Sequence, residues 1–153
     1  MDNPIIQELI DRYVTVSFQV HKKAETLIKG QIGDELTNDQ HYILRYISQS
    51  GECTSSELAD AFEVNKSAIT AIINRMADRG LIQRTRDEND RRVVYLTLTT
   101  EGHTLYQNCQ EKIQVLVESI ITQFEETEIK NFINTYEKLA RILANKKKEE
   151  LGE

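Results

Sequence analysis

Seven side chains between positions 66 and 75 have types suited to contact with a nucleic-acid duplex: Lys66, Ser67, Ala68, Thr70, Ala71, Asn74 and Arg75. Cations meet phosphates, hydroxyls and an amide meet phosphates or base edges, and methyl groups meet the methyl of thymine. Such a set is useful only if one surface presents it. The intervening Ile69, Ile72, Ile73 and Met76 recur at i, i+3, i+4 and i+7, the spacing of a helix with one apolar face, so the polar set falls on the opposite face. A face meant only for solvent would carry Glu and Lys throughout, and the two alanines are out of place there. A second cluster follows at Asp87-Glu88-Asn89-Asp90-Arg91-Arg92. Alone it is an ordinary charged turn. Next to a reading helix, Asp90 can hold an arginine by an ion pair while Arg91 or Arg92 enters a minor groove, whose negative potential attracts guanidinium.

The elements that must hold these clusters can be read from caps and periodicity. Pro4 opens a long helix to about Lys29, with Gly30 as its expected end. Thr37 with Gln40, and Thr54 with Glu57, have the spacing of capping boxes and open a second helix and a short third one. Asn65 caps the helix bearing the polar face, and Gly80 closes it. The short third helix, a turn near Glu63-Val64 and the next helix form a helix-turn-helix. Leu81 to Arg86 and Val93 to Leu98 are β-type runs flanking the charged cluster and predict a hairpin. Helical periodicity returns from Thr99, and a last helix carries Ile129, Phe132, Ile133, Tyr136, Leu139 and Leu143 before fraying from Lys146.

Composition narrows the function. The chain of 153 residues has the length of one domain, with 39% hydrophobic and 29% charged residues, as in soluble globular proteins. Net charge is −6, which disfavours a polyanionic partner, but Asn65 to Arg92 holds seven basic against four acidic residues, a local +3, leaving −9 elsewhere. A positive segment in an acidic chain has the form of a footprint on DNA. The start Met1-Asp2-Asn3-Pro4 lacks a secretion signal and no run is long and apolar enough to span a bilayer, so a cytoplasmic protein without membrane contact is expected. Cys53 and Cys109 are read as reduced packing residues, and neither metal nor cofactor is expected. The absence of a glycine-rich phosphate loop, nucleophile elbow, HExxH or paired-cysteine motif argues against an enzyme. A protein-docking module remains an alternative, but it has no need of cations on both the helix and the hairpin.

The order of parts resembles the MarR family of bacterial regulators. The resemblance rests on Leu36-Thr37, Thr54-Ser55-Ser56-Glu57-Leu58-Ala59, Lys66-Ser67-Ala68-Ile69-Thr70, Asn74-Arg75-Met76, Arg79-Gly80-Leu81-Ile82, Asp90-Arg91-Arg92 and Leu96-Thr97-Leu98-Thr99-Thr100-Glu101-Gly102. It implies a mainly α fold with a small β-hairpin wing, in which a winged helix-turn-helix core (37–98) is flanked by dimerisation helices (1–36 and 99–150). It also implies a homodimer on a pseudo-palindromic duplex DNA operator, acting as a repressor and released by a small-molecule effector. In the family pattern the wing aspartate corresponds to Asp90 and the groove-entering arginine to Arg92, with Arg91 second. The expected DNA-binding set is therefore Lys66, Ser67, Ala68, Thr70, Asn74, Arg75, Asp90, Arg91 and Arg92. His21, His41 and Tyr42 are candidates for lining an effector pocket between helices. No cysteine stands in the first helix and no Glu/His/Cys cluster is evident, so oxidant-sensing and zinc-sensing branches gain no support. Apolar stripes on the first and last two helices call for a partner, with Ile5, Leu9, Phe132 and Tyr136 expected in the seam.

Overall fold

The computed structural model describes residues 3–152; Met1 and Asp2, which open the expected 1–36 segment, lie outside the described residues. In chain order the elements are α1 (Pro4–Ile32), α2 (Asn38–Ser50), β1 (Cys53–Thr54), α3 (Ser55–Phe62), α4 (Lys66–Asp78), β2 (Ile82–Arg86), β3 (Val94–Leu98), α5 (Thr100–Ile121) and α6 (Glu126–Leu151). The fold is mainly α with one small antiparallel sheet, ordered β1-β3-β2. Arg84 pairs with Leu96 in the β2–β3 ladder and Cys53 pairs with Leu96 in the β1–β3 ladder.

Local chemistry fixes the helix ends. In α2 the Thr37 hydroxyl accepts from the Gln40 N–H at 3.1 Å and the Gln40 side-chain Oε1 accepts from the Thr37 N–H at 3.2 Å. Thr54 and Glu57 repeat the arrangement at α3, at 3.1 and 3.3 Å. Each satisfies two helix-end donors, and one such cap contributes about 1 kcal/mol. Asn65 caps α4 by accepting from the Ala68 N–H at 2.8 Å. At the other end Gly80 adopts φ 75°, and the N–H groups of Gly80 and Leu81 donate back to Ala77 and Met76 at 2.9 Å each, which stops α4 and turns the chain into β2. The turn between α3 and α4 has Glu63 in the left-handed region at φ 55°.

The chain divides into two compact units, one ending at Ile113 and the other beginning at Gln114. In the first, Ile43, Leu44 and Ile47 of α2, Leu58 of α3, Ile69, Ile73 and Met76 of α4, and Leu96 of β3 form a core with Ile32, Leu36, Cys53 and Cys109. Burying each aliphatic side chain of this kind stabilises by roughly 1.5–3 kcal/mol. In the second, α6 has no buried residue among those described, and Phe132 lies edge-on to Tyr136 with ring centres 5.2 Å apart.

Two helix ends and one strand differ from the sequence reading. Helix α1 passes through Gly30 to Ile32 and ends at Gly33, whose N–H donates to Lys29 at 2.8 Å. Burial of Ile32 and partial burial of Ile28 keep the helix going past a residue that costs about 1 kcal/mol. Strand β1 was not expected. Helix α6 continues to Leu151 rather than fraying at Lys146.

Candidate nucleic-acid interface

Helix α4 sorts its side chains as the periodicity requires. Ile69, Ile73 and Met76 are buried, while Lys66, Ser67, Ala68, Thr70, Ala71, Asn74 and Arg75 are all exposed. Lys66, Thr70 and Asn74 follow at i+4 and form one row along that face. The Ser67 hydroxyl donates to Asn65 Oδ1 at 2.7 Å, so part of its capacity is used in the cap. Asn74 is also engaged: its Oδ1 accepts from Nη2 of Arg84, on β2. Helix and wing are therefore joined by a direct side-chain contact.

The wing is built around two aspartates with different tasks. Asp87 accepts at Oδ1 from the N–H groups of Asn89 (2.8 Å) and Asp90 (3.1 Å), and these bonds hold its carboxyl below the usual range. Its partnership with the Tyr95 hydroxyl pushes the tyrosine up in turn. Asp90 turns to Arg92. Its Oδ1 accepts from the Arg92 N–H and from Nε, both at 3.1 Å, and its Oδ2 accepts from Nη2 at 3.4 Å. The Asp90 side chain is 45% exposed and that of Arg92 91%, so the carboxylate stays against the turn and the guanidinium stands in solvent. Arg86 Nη1 donates to the carbonyl of Arg91 at 2.8 Å, bracing the same turn from β2. The expected pairing of Asp90 with an arginine is present, and the partner is Arg92; the Arg91 side chain is exposed.

In the sequence Arg84 and Arg86 stand out only as local charge, and Arg79 as charge and as part of the Arg79-Gly80-Leu81-Ile82 motif. The period of two along β2 held the missing signal: Ile82, Arg84 and Arg86 share one face, with Ile82 buried at its base. Arg79, just past the end of α4, donates from Nη2 to the Glu35 carbonyl at 2.7 Å and from Nη1 to Gln40 at 3.5 Å, so it secures the end of the reading helix.

The three residues considered for an effector pocket stand in different settings, and no described contact joins them. His21 is exposed and lies 3.6 Å from Glu25. His41 is buried and stacked on Tyr106, with Nε2 lacking a hydrogen-bond partner; burial first, and the Arg45 charge second, push its pKa down. Tyr42 points outward, edge-on to Phe62. An open cleft of about 400 Å³ near the end of α2 and the start of α5 is lined by other residues, Ser48, Thr97 and His103 among them. Cys53 and Cys109 are buried, and burial pushes both thiols up to about 11, leaving them protonated packing groups at neutral pH. Among the described residues no group of His, Cys, Asp and Glu is placed to hold a metal ion, and no helix is long and apolar enough to cross a membrane.

Comparison with known proteins agrees with this geometry. The MarR family model matches residues 36–94, the segment from the start of α2 into β3. The HTH-type transcriptional regulator YwhA of Bacillus subtilis is 29% identical over 120 residues, spanning 78% of this chain and 86% of that protein. A MepR-like protein, solved with pseudoligands, is 30% identical, with 88% of this chain and 95% of that one covered and a TM-score of 0.66. A mutant of MarR from Escherichia coli, solved with operator DNA, shares the fold at a TM-score of 0.75 with 22% identity, covering 90% of this chain and 99% of that one. With its capped helix-turn-helix, its braced wing and relatives that match over most of their length, the chain belongs to the MarR family of winged-helix transcriptional regulators.

Proposed function

We propose that this protein is a cytoplasmic repressor that binds a pseudo-palindromic duplex operator as a homodimer, placing α4 in the major groove and the wing in the adjacent minor groove. The observation that carries this reading is the exposed α4 face continuous with a wing that presents Arg92 outward. Lys66 is suited to phosphate; Thr70, Asn74 and the methyl groups of Ala68 and Ala71 are suited to base edges; Ser67 and Arg75 flank them. A protein-docking surface needs neither the local positive charge nor an exposed guanidinium oriented by its own carboxylate. Dimerisation is supported by apolar side chains left in solvent, including Ile5 at 68% and Phe132 at 53% exposure. Release by a small-molecule effector completes the reading, with His21, His41 and Tyr42 as candidates to line its site.

The test is binding to the region upstream of the protein's own gene, compared with an unrelated duplex, at two salt concentrations. Operator contact through roughly six phosphates lowers affinity on the order of 10³-fold between about 50 and 200 mM salt, with a preference for the cognate sequence at both. Salt-insensitive or sequence-indifferent binding overturns the proposal.

A further inference from the structure

Asn74 and Arg84 come from different elements, the reading helix and the edge strand of the wing, and meet through a hydrogen bond at Asn74 Oδ1. Arginine has only donors, so the atom it holds must be the amide oxygen; the amide nitrogen is left with its two N–H groups. A free asparagine presents an acceptor and a donor side by side and pairs with the N7 and amino group of adenine. Here the acceptor is occupied. The second lone pair of Oδ1 lies beside a guanidinium whose N–H groups oppose an amino group and favour a carbonyl. What the pair offers outward is a row of donors: the Asn74 amide and the unused N–H groups of Arg84. Guanine, with acceptors at N7 and O6, complements that row, and adenine does not.

We infer that Asn74 and Arg84 form one donor-only reading unit, so that Arg84, from the wing, makes Asn74 select guanine over adenine. The inference rests on the proposed operator binding and adds to it a specificity determinant outside the reading helix. Position supports it. Asn74 continues the exposed row of Lys66 and Thr70, and Arg84 shares its face of β2 with buried Ile82, which fixes the root of the side chain against the core while its tip reaches α4. The pairing of Arg84 with fully buried Leu96 further sets its position along the strand.

The experiment selects bound sequences from a randomised duplex pool with the full-length protein and its Arg84→Met, Arg84→Lys and Asn74→Ala variants, each checked for unchanged melting. The wild type is expected to prefer guanine over adenine on the order of tenfold at one position of each half-site. Asn74→Ala should lose the preference at that position alone. Arg84→Met, which frees the Asn74 oxygen, should turn it toward adenine, and Arg84→Lys, which keeps a donor, should retain guanine. If Arg84→Met weakens all sequences alike and leaves every base preference unchanged, Arg84 is a phosphate contact or a strut and the inference is overturned. It is also overturned if the position lost in Asn74→Ala is an adenine in the wild type. If the wild type selects no sequence at all, the operator-binding proposal itself fails.

Discussion

Ile73 and Ile5 are the same residue type with opposite fates: one is 1% exposed and the other 68%. The contrast separates two regions. Between Ile32 and Cys109 most apolar residues close on one another, Tyr42 and Val64 excepted, and the α2, α3 and α4 N-termini carry side-chain caps. Along α1 before Ile28, and at Phe132, Ile133, Tyr136, Ile142 and Leu143 of α6, the apolar side chains remain in solvent although their helical spacing is as regular. A helix owes most of its stability in water to the burial of its apolar face. The first region therefore accounts for its own folding, whereas the second leaves its apolar faces uncovered.

The strongest way to break this contrast is to put charge on the open faces. Leu9→Glu combined with Phe132→Glu is expected to turn a dimer into a monomer by sedimentation at micromolar concentration and to weaken operator binding by about 10²- to 10⁴-fold through lost bivalency. A monomeric wild type would sink the dimer. On the closed side, Ile73→Ala is expected to lower stability in urea unfolding by about 2–5 kcal/mol, since the cavity lies where packing is complete; the same change at Ile5 should cost far less in any protein held monomeric. The wing offers a case of binding without folding. Arg92→Ala and Asp90→Ala should each weaken operator binding by about 1–3 kcal/mol, less than additively when combined, with melting almost unchanged. Tighter binding by Asp90→Ala would show that the carboxylate only repels DNA and positions nothing.

The smallest effect expected is at His41. Its pKa is lowered in the fold by burial and by Arg45, against a weaker opposing hydrogen bond from Gln110. The unfolded chain therefore binds the proton more readily. Stability from the neutral form is complete above the ordinary value of 6.5 and declines as pH falls through it toward the folded value. Melting temperature should drop between about pH 7.5 and 5.5, and His41→Phe, which keeps the stack on Tyr106, should flatten that slope. An unchanged slope would place the titration elsewhere.

Much of the closed region could be read from the sequence because its signals are local. Thr37 with Gln40, Thr54 with Glu57, and Asn65 announce their helices within four residues, and Gly80 marks a left-handed stop that few other residues adopt. What escaped depends on distant partners. β1 is two residues long and exists through its ladder to β3, and α1 runs past Gly30 because Ile32 finds the core. Among the site residues, the exposed α4 row and the Asp90–Arg92 pair were legible from spacing. The Arg84–Asn74 contact was not, since nothing local says which of several arginines on a strand will meet a helix ten residues earlier. His41 and Tyr42 part for a similar reason: His41 lies three residues before Leu44 and turns inward with it, whereas Tyr42 turns away.

The segment containing the wing is clamped at its base. Thr99 donates from its hydroxyl to the Gly80 carbonyl at 2.6 Å and from its N–H to the Leu81 carbonyl at 3.1 Å, while the same hydroxyl accepts from the Gly102 N–H at 2.9 Å. Gly102 lies so close to Leu81 that a Cβ there would fall 2.0 Å from its carbonyl oxygen. The two strands thus leave and return through a fixed gate, and the entropy of closing that loop depends only weakly on the length of the tip. Because closure entropy grows only logarithmically, doubling the loop length adds about 0.6 kcal/mol. The tip is thereby open to insertion and deletion at little thermodynamic cost: its reach along a groove can change by whole residues while the core beneath the clamp keeps its sequence.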